Sequence, residues 1–255
     1  MASRLALQKN GRRRPRESPE EKRARANAVA ALLARIYPAP EVPLKHRNAF
    51  ELLIAVILSA QCTDEAVNRV TPELFRRYPN AAKLADAATQ EIELIIRTLG
   101  LFRAKAKSLR HCGRQLIEQF GGQVPSTMEE LTRLAGVGRK TANVVLGHAF
   151  DTPGMAVDTH CKRVSLRLGL TRQQDPNKIE RDLNRLLPAE EWTRFSLRLI
   201  LHGRRACHAR KPACERCVLN ELCPSAIPVT QQAASERSIY SQKNGRGASL
   251  SGRGQ

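Results

Sequence analysis

Four cysteines near the end of the chain have the spacing that points most directly to chemistry. They follow the pattern C-x6-C-x2-C-x5-C and are Cys207, Cys214, Cys217 and Cys223. Four thiolates in one short loop can surround an inorganic centre, and the wide first and last gaps suit the cube of a [4Fe–4S] cluster. Zinc, which also binds thiolates, is the alternative, although its ligands usually come in closely spaced pairs. We therefore expect an iron–sulfur cofactor in preference to zinc.

Lys140 is a second candidate, because it follows a glycine turn. The stretch Leu134–Leu146 reads as a short turn, containing Gly136 and Gly138, that opens a helix. Glycine permits positive φ and close backbone approach, and the free N–H groups of a helix N-terminus favour a phosphate. Lys140 could therefore contact a phosphate. It could also be a nucleophile, since burial and the positive charge of Arg139 would favour the neutral amine.

Asp158 favours the nucleophile interpretation of Lys140. It lies eighteen residues further on, beyond a Pro-Gly turn, so the chain can return and place a carboxylate beside the amine. The apolar residues 155–157 suggest that this carboxylate is held against a core. It could accept or relay a proton, or stabilise positive charge on a sugar. It could also cap the following helix, and the two roles are compatible.

Helices are expected to position these residues, because apolar residues recur at helical spacing through most of the chain. Residues 48–60 are apolar on nearly every side, which predicts a buried central helix rather than a parallel strand. The first helix is expected over 24–37, and a long helix over 104–120 is expected to end at a Gly-Gly pair. Ser126 and Glu129 predict a capping box before the glycine turn. The expected fold class is all-α.

The net charge of +19 points to a polyanionic partner. Basic residues are not confined to the ends, because residues 23–223 contain thirty-two Lys or Arg and twenty Asp or Glu. The longest apolar run, 52–58, is far shorter than the roughly 20 residues of a membrane span. Seven cysteines argue against a disulfide framework, and Cys62, Cys112 and Cys161 are expected to be small buried hydrophobes. We expect an intracellular protein that binds nucleic acid.

Taken together, these motifs resemble the endonuclease III family of DNA glycosylases, in the helix–hairpin–helix superfamily. The resemblance runs from about residue 25 to residue 223. It rests on LSAQCTD at 58–64, GVGRKTAN at 136–143, VDTH at 157–160 and the four cysteines. One departure is Ala135, where the family commonly has proline, and it removes no functional group.

The resemblance implies a two-lobed fold with a DNA cleft between the lobes, a six-helix barrel in one lobe and an iron–sulfur domain in the other. Composition adds a basic, disordered segment at each end. The expected segments are a disordered N-terminal arm at 1–22, an N-terminal helix packed on the cluster domain at 23–41, the barrel with the hairpin at 42–152, the [4Fe–4S] cluster domain at 153–223 and a disordered tail at 224–255.

The resemblance also implies a bifunctional DNA glycosylase and AP lyase of base excision repair that removes oxidised pyrimidines. Lys140 would attack C1′ of the deoxyribose, Asp158 would assist proton transfer, and β-elimination from the Schiff base would cut the strand 3′ to the lesion. Gln61 would fill the gap left by the flipped base, and Leu101 would wedge beside it. The four cysteines would hold the [4Fe–4S] cluster. The expected DNA-binding residues are Gln61, Leu101, Gly136, Val137, Gly138, Arg139, Thr141 and His160.

Two other functions are compatible with parts of this pattern. One is a monofunctional adenine glycosylase of the same superfamily, a branch that lacks the lysine nucleophile. The other is a non-catalytic DNA-binding module with a redox-sensing cluster, which would need neither Lys140 nor Asp158. The expected partner is duplex DNA with damaged bases or abasic sites. We expect a monomer, located in the bacterial cytoplasm or nucleoid.

Overall fold

The computed structural model describes residues 17–227, and within that range the chain forms helices and no strand. None of the helices in this range is long and apolar enough to cross a bilayer. The α-helices are α1 Pro19–Ile36, α2 Ala49–Leu58, α3 Asp64–Arg77, α4 Ala81–Asp86, α5 Thr89–Ile96, α6 Phe102–Phe120, α7 Met128–Leu131, α8 Arg139–Ala149, α9 Thr159–Arg167, α10 Pro176–Leu186 and α11 Trp192–Arg205.

Helix α1 begins earlier than its apolar periodicity predicted. The Ser18 side chain accepts the N–H of Glu21, and the Glu21 carboxylate accepts the N–H of Ser18, which completes a capping box ahead of Pro19. Residues 19–22 are therefore helical, and their assignment to a disordered arm was wrong. The remaining arm at 1–16 and the tail from 228 lie outside the described residues.

Helix α2 forms the centre of the first hydrophobic core, as its sequence predicted. Asn48 caps it by accepting the N–H of Glu51, and every residue from Phe50 to Leu58 is buried. Glu51 is buried as well, and its charge is balanced by an ion pair with Arg47 at 2.6 Å. Apart from the single-turn α7, six helices contribute buried side chains to this core, namely α2 to α6 and α8.

A second hydrophobic core combines the beginning of the described chain with its end. Helix α1 packs there against α9, α10 and α11, and Met155 and Val157 add side chains from the segment before α9. Phe195, on α11, is one of the largest fully buried side chains of the molecule. Helix α1 thus belongs with the C-terminal helices, although more than a hundred residues separate them in sequence.

Local caps set the end of the long helix α6 and the start of α7. Helix α6 ends at Gly121, which has φ +58, as the Gly-Gly pair predicted. The cap of α7 is Thr127 with Glu130, not Ser126 with Glu129. Both registers match the capping-box pattern. The one that forms carries Leu131 into the first core, where it is fully buried.

Gly113 allows α6 and α4 to pack closely, and this leads to a prediction about stability. A Cβ at this position would lie 2.9 Å from the backbone nitrogen of Ala85. Gly113→Ala should lower the free energy of unfolding by about 1–3 kcal/mol, because overpacking outweighs the helix propensity of alanine. Urea denaturation measures this. Gly100→Ala, whose Cβ would lie 3.9 Å from its nearest neighbour, should be close to neutral. Equal effects of the two substitutions would contradict the prediction.

Candidate active site and iron–sulfur site

The turn between α7 and α8 is a tight hairpin that depends on Gly136. This glycine has φ +80, and a Cβ added to it would lie 3.0 Å from Cγ2 of Ile57. Gly138 differs, because its φ of −95 is open to other residues and a Cβ there would meet open space. Gly136 therefore uses the positive φ that glycine permits, whereas Gly138 does not. What Gly138 leaves free is space for another molecule.

Backbone N–H groups at the start of α8 point into this space. Gly138 is the N-cap, and no side chain accepts a hydrogen bond from the first turn. Within the described chain, the N–H groups of Gly138, Arg139, Lys140 and Thr141 have no hydrogen-bond partner. The N–H of Val137 donates a hydrogen bond within the turn to the carbonyl oxygen of Leu134 at 3.1 Å, and the Val137 side chain is buried. Val137 is thus not free for the phosphate contact expected from the sequence.

Lys140 lies in the first turn of α8 and Asp158 at the start of α9, and the backbone before α9 is in contact with α8. Asp158 is the N-cap of α9, and its Oδ1 accepts the N–H of Cys161 at 2.7 Å. Burial, with the Asp158 carboxylate acting in the same direction, raises the pKa of the Cys161 thiol to about 12, while the Ser165 hydroxyl and the Lys140 ammonium oppose the shift. Lys140 itself is exposed, so the expected contribution of burial to its reactivity was wrong.

The segment before Asp158 is held tightly against α8. The buried Asn143 side chain donates a hydrogen bond to the carbonyl oxygen of Met155 at 3.1 Å. A Cβ on Gly154 would come within 2.4 Å of the backbone oxygen of Asn143, so the two backbones are in contact. Asn143 lies one turn after Lys140, and Met155 lies three residues before Asp158. This packing holds the backbone that leads to Asp158 against the helix that carries Lys140.

Arg139 is committed to an ion pair that the sequence did not indicate. Its guanidinium donates two hydrogen bonds, at 2.8 and 2.7 Å, to Glu180 on α10, a carboxylate that is almost completely buried. The positive charge next to Lys140 is therefore balanced. A second ion pair, Arg204 with Asp64 at 2.6 Å, also joins the second core to the first. Nothing in the local sequence of α10 distinguishes Glu180 from an ordinary surface residue.

His160 lies half-buried beside this region. Its Nδ1 is 3.1 Å from Nη2 of Arg163. Burial lowers the pKa of His160, and the charges of Arg163 and Arg204 act in the same direction, while Asp158 opposes them. The ring is thus favoured in its neutral form, which can both donate and accept a hydrogen bond.

Gln61 and Leu101 are exposed on adjacent turns. Both have a left-handed backbone, with φ +55 and +59. For a residue other than glycine, this conformation lowers the stability of the fold by about 1–3 kcal/mol. Leu101 is 61% exposed and so is not a core leucine. The two turns approach each other where the Cβ position of Gly100 lies 3.9 Å from the carbonyl oxygen of Gln61. The fold holds these two side chains out into solvent at a cost in stability.

The four cysteines of the C-terminal loop border a cavity of about 180 Å³. In the described chain, no three of their side chains come together around the position of a single metal ion. The thiols are nevertheless close. Burial raises the pKa of Cys217 to about 11, and the other three cysteines contribute in the same direction. An inorganic centre must therefore displace thiol protons when it binds.

Hydrogen-bond donors around this cavity suit an anionic cluster. Arg167 donates through Nη1 to the sulfur of Cys207 at 3.2 Å. Nε2 of His202 lies 3.5 Å from the sulfur of Cys217, and its Nδ1 is buried without a partner in the described chain. Donors to thiolate sulfur are among the features with which proteins tune iron–sulfur clusters. The residues present therefore fit the predicted [4Fe–4S] centre.

Removal of one candidate ligand gives a direct test of the cysteine assignment. Cys217→Ala should lose most of the bound iron and acid-labile sulfide, because three thiolates cannot complete the cluster. Chemical analysis for iron and sulfide on purified protein measures this. Cys112→Ala, in the first core, is the matched control and should keep wild-type iron. Unchanged iron in Cys217→Ala would contradict the assignment.

Comparison with known proteins identifies the family. Residues 54–189 match the family model described as HhH-GPD superfamily base excision DNA repair protein, and residues 207–223 match the iron-sulfur binding domain of endonuclease III. Endonuclease III of Synechocystis is 53% identical over 206 residues, which cover 80% of this chain and 94% of that protein. Endonuclease III of Bacillus subtilis is 46% identical over 189 residues, which cover 74% and 86%.

Solved structures agree with these relatives. A non-covalent endonuclease III–DNA complex has a TM-score of 0.77 and 43% identity, and covers 80% of this chain and 96% of that one. A trapped endonuclease III–DNA covalent intermediate has the same TM-score and identity. These structures confirm the all-α helix–hairpin–helix fold and support DNA binding, and the iron-sulfur family model together with the endonuclease III relatives confirms the [4Fe–4S] cofactor. The chain therefore belongs to the endonuclease III family of DNA glycosylases and abasic-site lyases of base excision repair.

Proposed function

We propose that this enzyme acts as a monomer on duplex DNA, removes oxidised pyrimidines and cuts the strand through a Schiff base on Lys140. The observation that carries the proposal is that Lys140, in the first turn of α8, and Asp158, at the start of α9, stand on backbones joined by the Asn143–Met155 hydrogen bond, beside a hairpin with free N–H groups. Lys140 is exposed and has no hydrogen-bond or ion-pair partner within the described chain, so its amine is available to a sugar.

The proposed reaction uses the two groups in sequence. The Lys140 amine attacks C1′ as the bond to the damaged base breaks, and the product collapses to a Schiff base with the opened sugar. The Schiff base makes the 2′ hydrogen acidic, and its loss expels the 3′ phosphate by β-elimination. Oδ1 of Asp158 is occupied by the N–H of Cys161, but Oδ2 has no partner in the described chain and can take or return a proton.

The remaining DNA contacts are assigned by position. The hairpin from Gly136 to Thr141 binds phosphates through its free N–H groups, which gives no sequence preference. Gln61 and Leu101 enter the duplex when the damaged base leaves the stack. His160 lies beside Asp158 and contacts the backbone near the lesion.

The two hydrophobic cores suggest where the DNA lies. We infer that they are two lobes, residues 42–152 in one and residues 23–41 with 153–223 in the other, with a DNA cleft between them. The side chains of Cys207, Cys214, Cys217 and Cys223 hold the [4Fe–4S] cluster. When bound, the cluster supplies four iron–sulfur bonds that cross-link their loop.

Borohydride trapping tests the Schiff base. Wild type incubated with an abasic-site duplex should give a covalent protein–DNA adduct, which electrophoresis resolves, and Lys140→Ala should give none. Asp158→Asn keeps the helix cap and should slow the reaction by about a hundredfold or more. Asp158→Ala should in addition lose about 1 kcal/mol of stability with the cap.

Lys83→Ala, on α4, is the matched control for a lost surface lysine and should behave as wild type. If wild type forms no adduct and makes no strand cut, the lyase mechanism fails and a non-catalytic DNA-binding module is favoured. Thymine glycol in the same duplex tests the substrate class, and sedimentation tests the monomer.

The hairpin glycines separate binding from folding. Gly138→Ala places its Cβ in open space, so stability should be unchanged while affinity for an abasic-site analogue falls about tenfold as a phosphate is pushed away. Gly136→Ala should instead lower the free energy of unfolding by about 1–3 kcal/mol, because alanine is strained at φ +80. Fluorescence anisotropy and urea denaturation measure the two quantities. Wild-type affinity in Gly138→Ala would contradict the proposed phosphate site.

A further inference from the structure

A lysine and a cysteine meet at the base of the turns that present Gln61 and Leu101. Nζ of Lys105 lies 2.9 Å from Sγ of Cys62. Cys62 directly follows Gln61, and Lys105 lies in the first turn of α6, which begins after Leu101. The contact therefore joins the two strained turns from below. Neither residue has a part in the reaction proposed above.

Lys105 is a buried cation whose one partner in the described chain is this sulfur. Its side chain is only 5% exposed, and among residues 17–227 no carboxylate lies within ion-pair distance of it. A buried ammonium without a counter-charge is costly. The ammonium faces the Cys62 sulfur at 2.9 Å, so negative charge that develops on this sulfur is stabilised by it. A cysteine next to lysine in this way is the type that reacts with electrophiles.

Cys62 is also distinguished from the other cysteines outside the cluster loop. Cys112 and Cys161 are fully buried, and burial raises the pKa of each thiol to about 12. Cys62 packs against the first core but is only partly buried, so its expected burial is incomplete. Its contact with Lys105 is the shortest polar contact of any sulfur in the described chain, the next being 3.2 Å. Access and a cationic partner thus coincide at one thiol.

We propose that Cys62 is a peroxide-reactive thiol, activated by Lys105, and that hydroperoxides oxidise it to a sulfenic acid. The thiolate sulfur attacks one peroxide oxygen, an S–O bond forms, and the O–O bond breaks. Sulfur loses two electrons, and the peroxide gains them. The departing oxygen takes a proton from the Lys105 ammonium and leaves as water or an alcohol, so that the products are Cys62–SOH and the neutral lysine amine.

Oxidation would loosen the turns above the pair. The sulfur loses its negative charge and gains an oxygen, so the short contact with Lys105 cannot persist. Gln61 and Leu101 would then lose a fixed connection between their turns. This consequence for DNA insertion rests on the proposed function of those two residues, whereas the reactivity of Cys62 does not.

Sulfenic acid trapping on the holoprotein tests the proposal without DNA. The protein is treated with hydrogen peroxide in the presence of dimedone, and the peptides containing Cys62, Cys112 and Cys161 are followed by mass spectrometry over time. Dimedone should appear on Cys62 and be at least about tenfold slower on the two buried thiols. Equal rates at Cys62 and Cys112 would overturn the proposal.

Variants on α6 test the role of the lysine. Lys105→Met should slow labelling of Cys62 by about tenfold or more, and Lys105→Arg, which keeps the charge, should restore most of it. Lys107→Met removes an exposed lysine from the same helix and should have no effect. An unchanged rate in Lys105→Met would overturn the proposal. If Lys105→Met does not fold, the comparison of thiols in wild type still decides. None of these outcomes depends on adduct formation by Lys140.

Discussion

The hydrogen bond from Asn143 to the carbonyl oxygen of Met155 is the contact on which the proposed active site depends. The bond is buried, so the loss of either group would leave the other without a partner and would lower the stability of the fold. Gly154 lets the segment before α9 contact the backbone of α8 at Asn143, and the hydrogen bond then holds that segment in place along α8. Three residues later Asp158 begins a helix of its own.

Two arginines near the proposed active site, Arg139 and Arg204, form ion pairs with carboxylates, whereas Lys140 has no ion-pair partner in the described chain. Arg139 is neutralised by the buried Glu180, and Arg204 by Asp64, so two guanidiniums that could compete for a phosphate are partly occupied by protein. Both ion pairs also connect the first core with the second. Removing one partner would leave a buried or half-buried charge without compensation, which is costly. The two ion pairs thus connect the two cores and leave the Lys140 amine without a partner in the described chain.

Two of the three non-glycine residues with positive φ in the described chain lie on the side of the molecule that is proposed to enter the DNA. Gln61 and Leu101 have left-handed backbones without being glycine, and Leu101 exposes an apolar side chain to water. Such features persist only where the surroundings enforce them. The contact of Lys105 with Cys62 joins the chain beside Gln61 to the helix that begins after Leu101 and so supports both turns. The stability lost here is compatible with a role that begins only when a duplex is bound.

The sequence by itself determined the local features of this protein. The buried character of α2, the C-cap at Gly121, the glycine turn and the cysteine spacing could all be identified, because each depends on residues close together in the chain. The capping box at Ser18 is local as well, because its two residues, Ser18 and Glu21, are three positions apart. Tertiary structure alone decided the rest. Two contacts, Arg139 with Glu180 and Lys105 with Cys62, join residues that are far apart in sequence. Such pairings are set by helix packing and leave no local pattern. The open space at Gly138 and the exposure of Lys140 depend on which surfaces the rest of the chain covers.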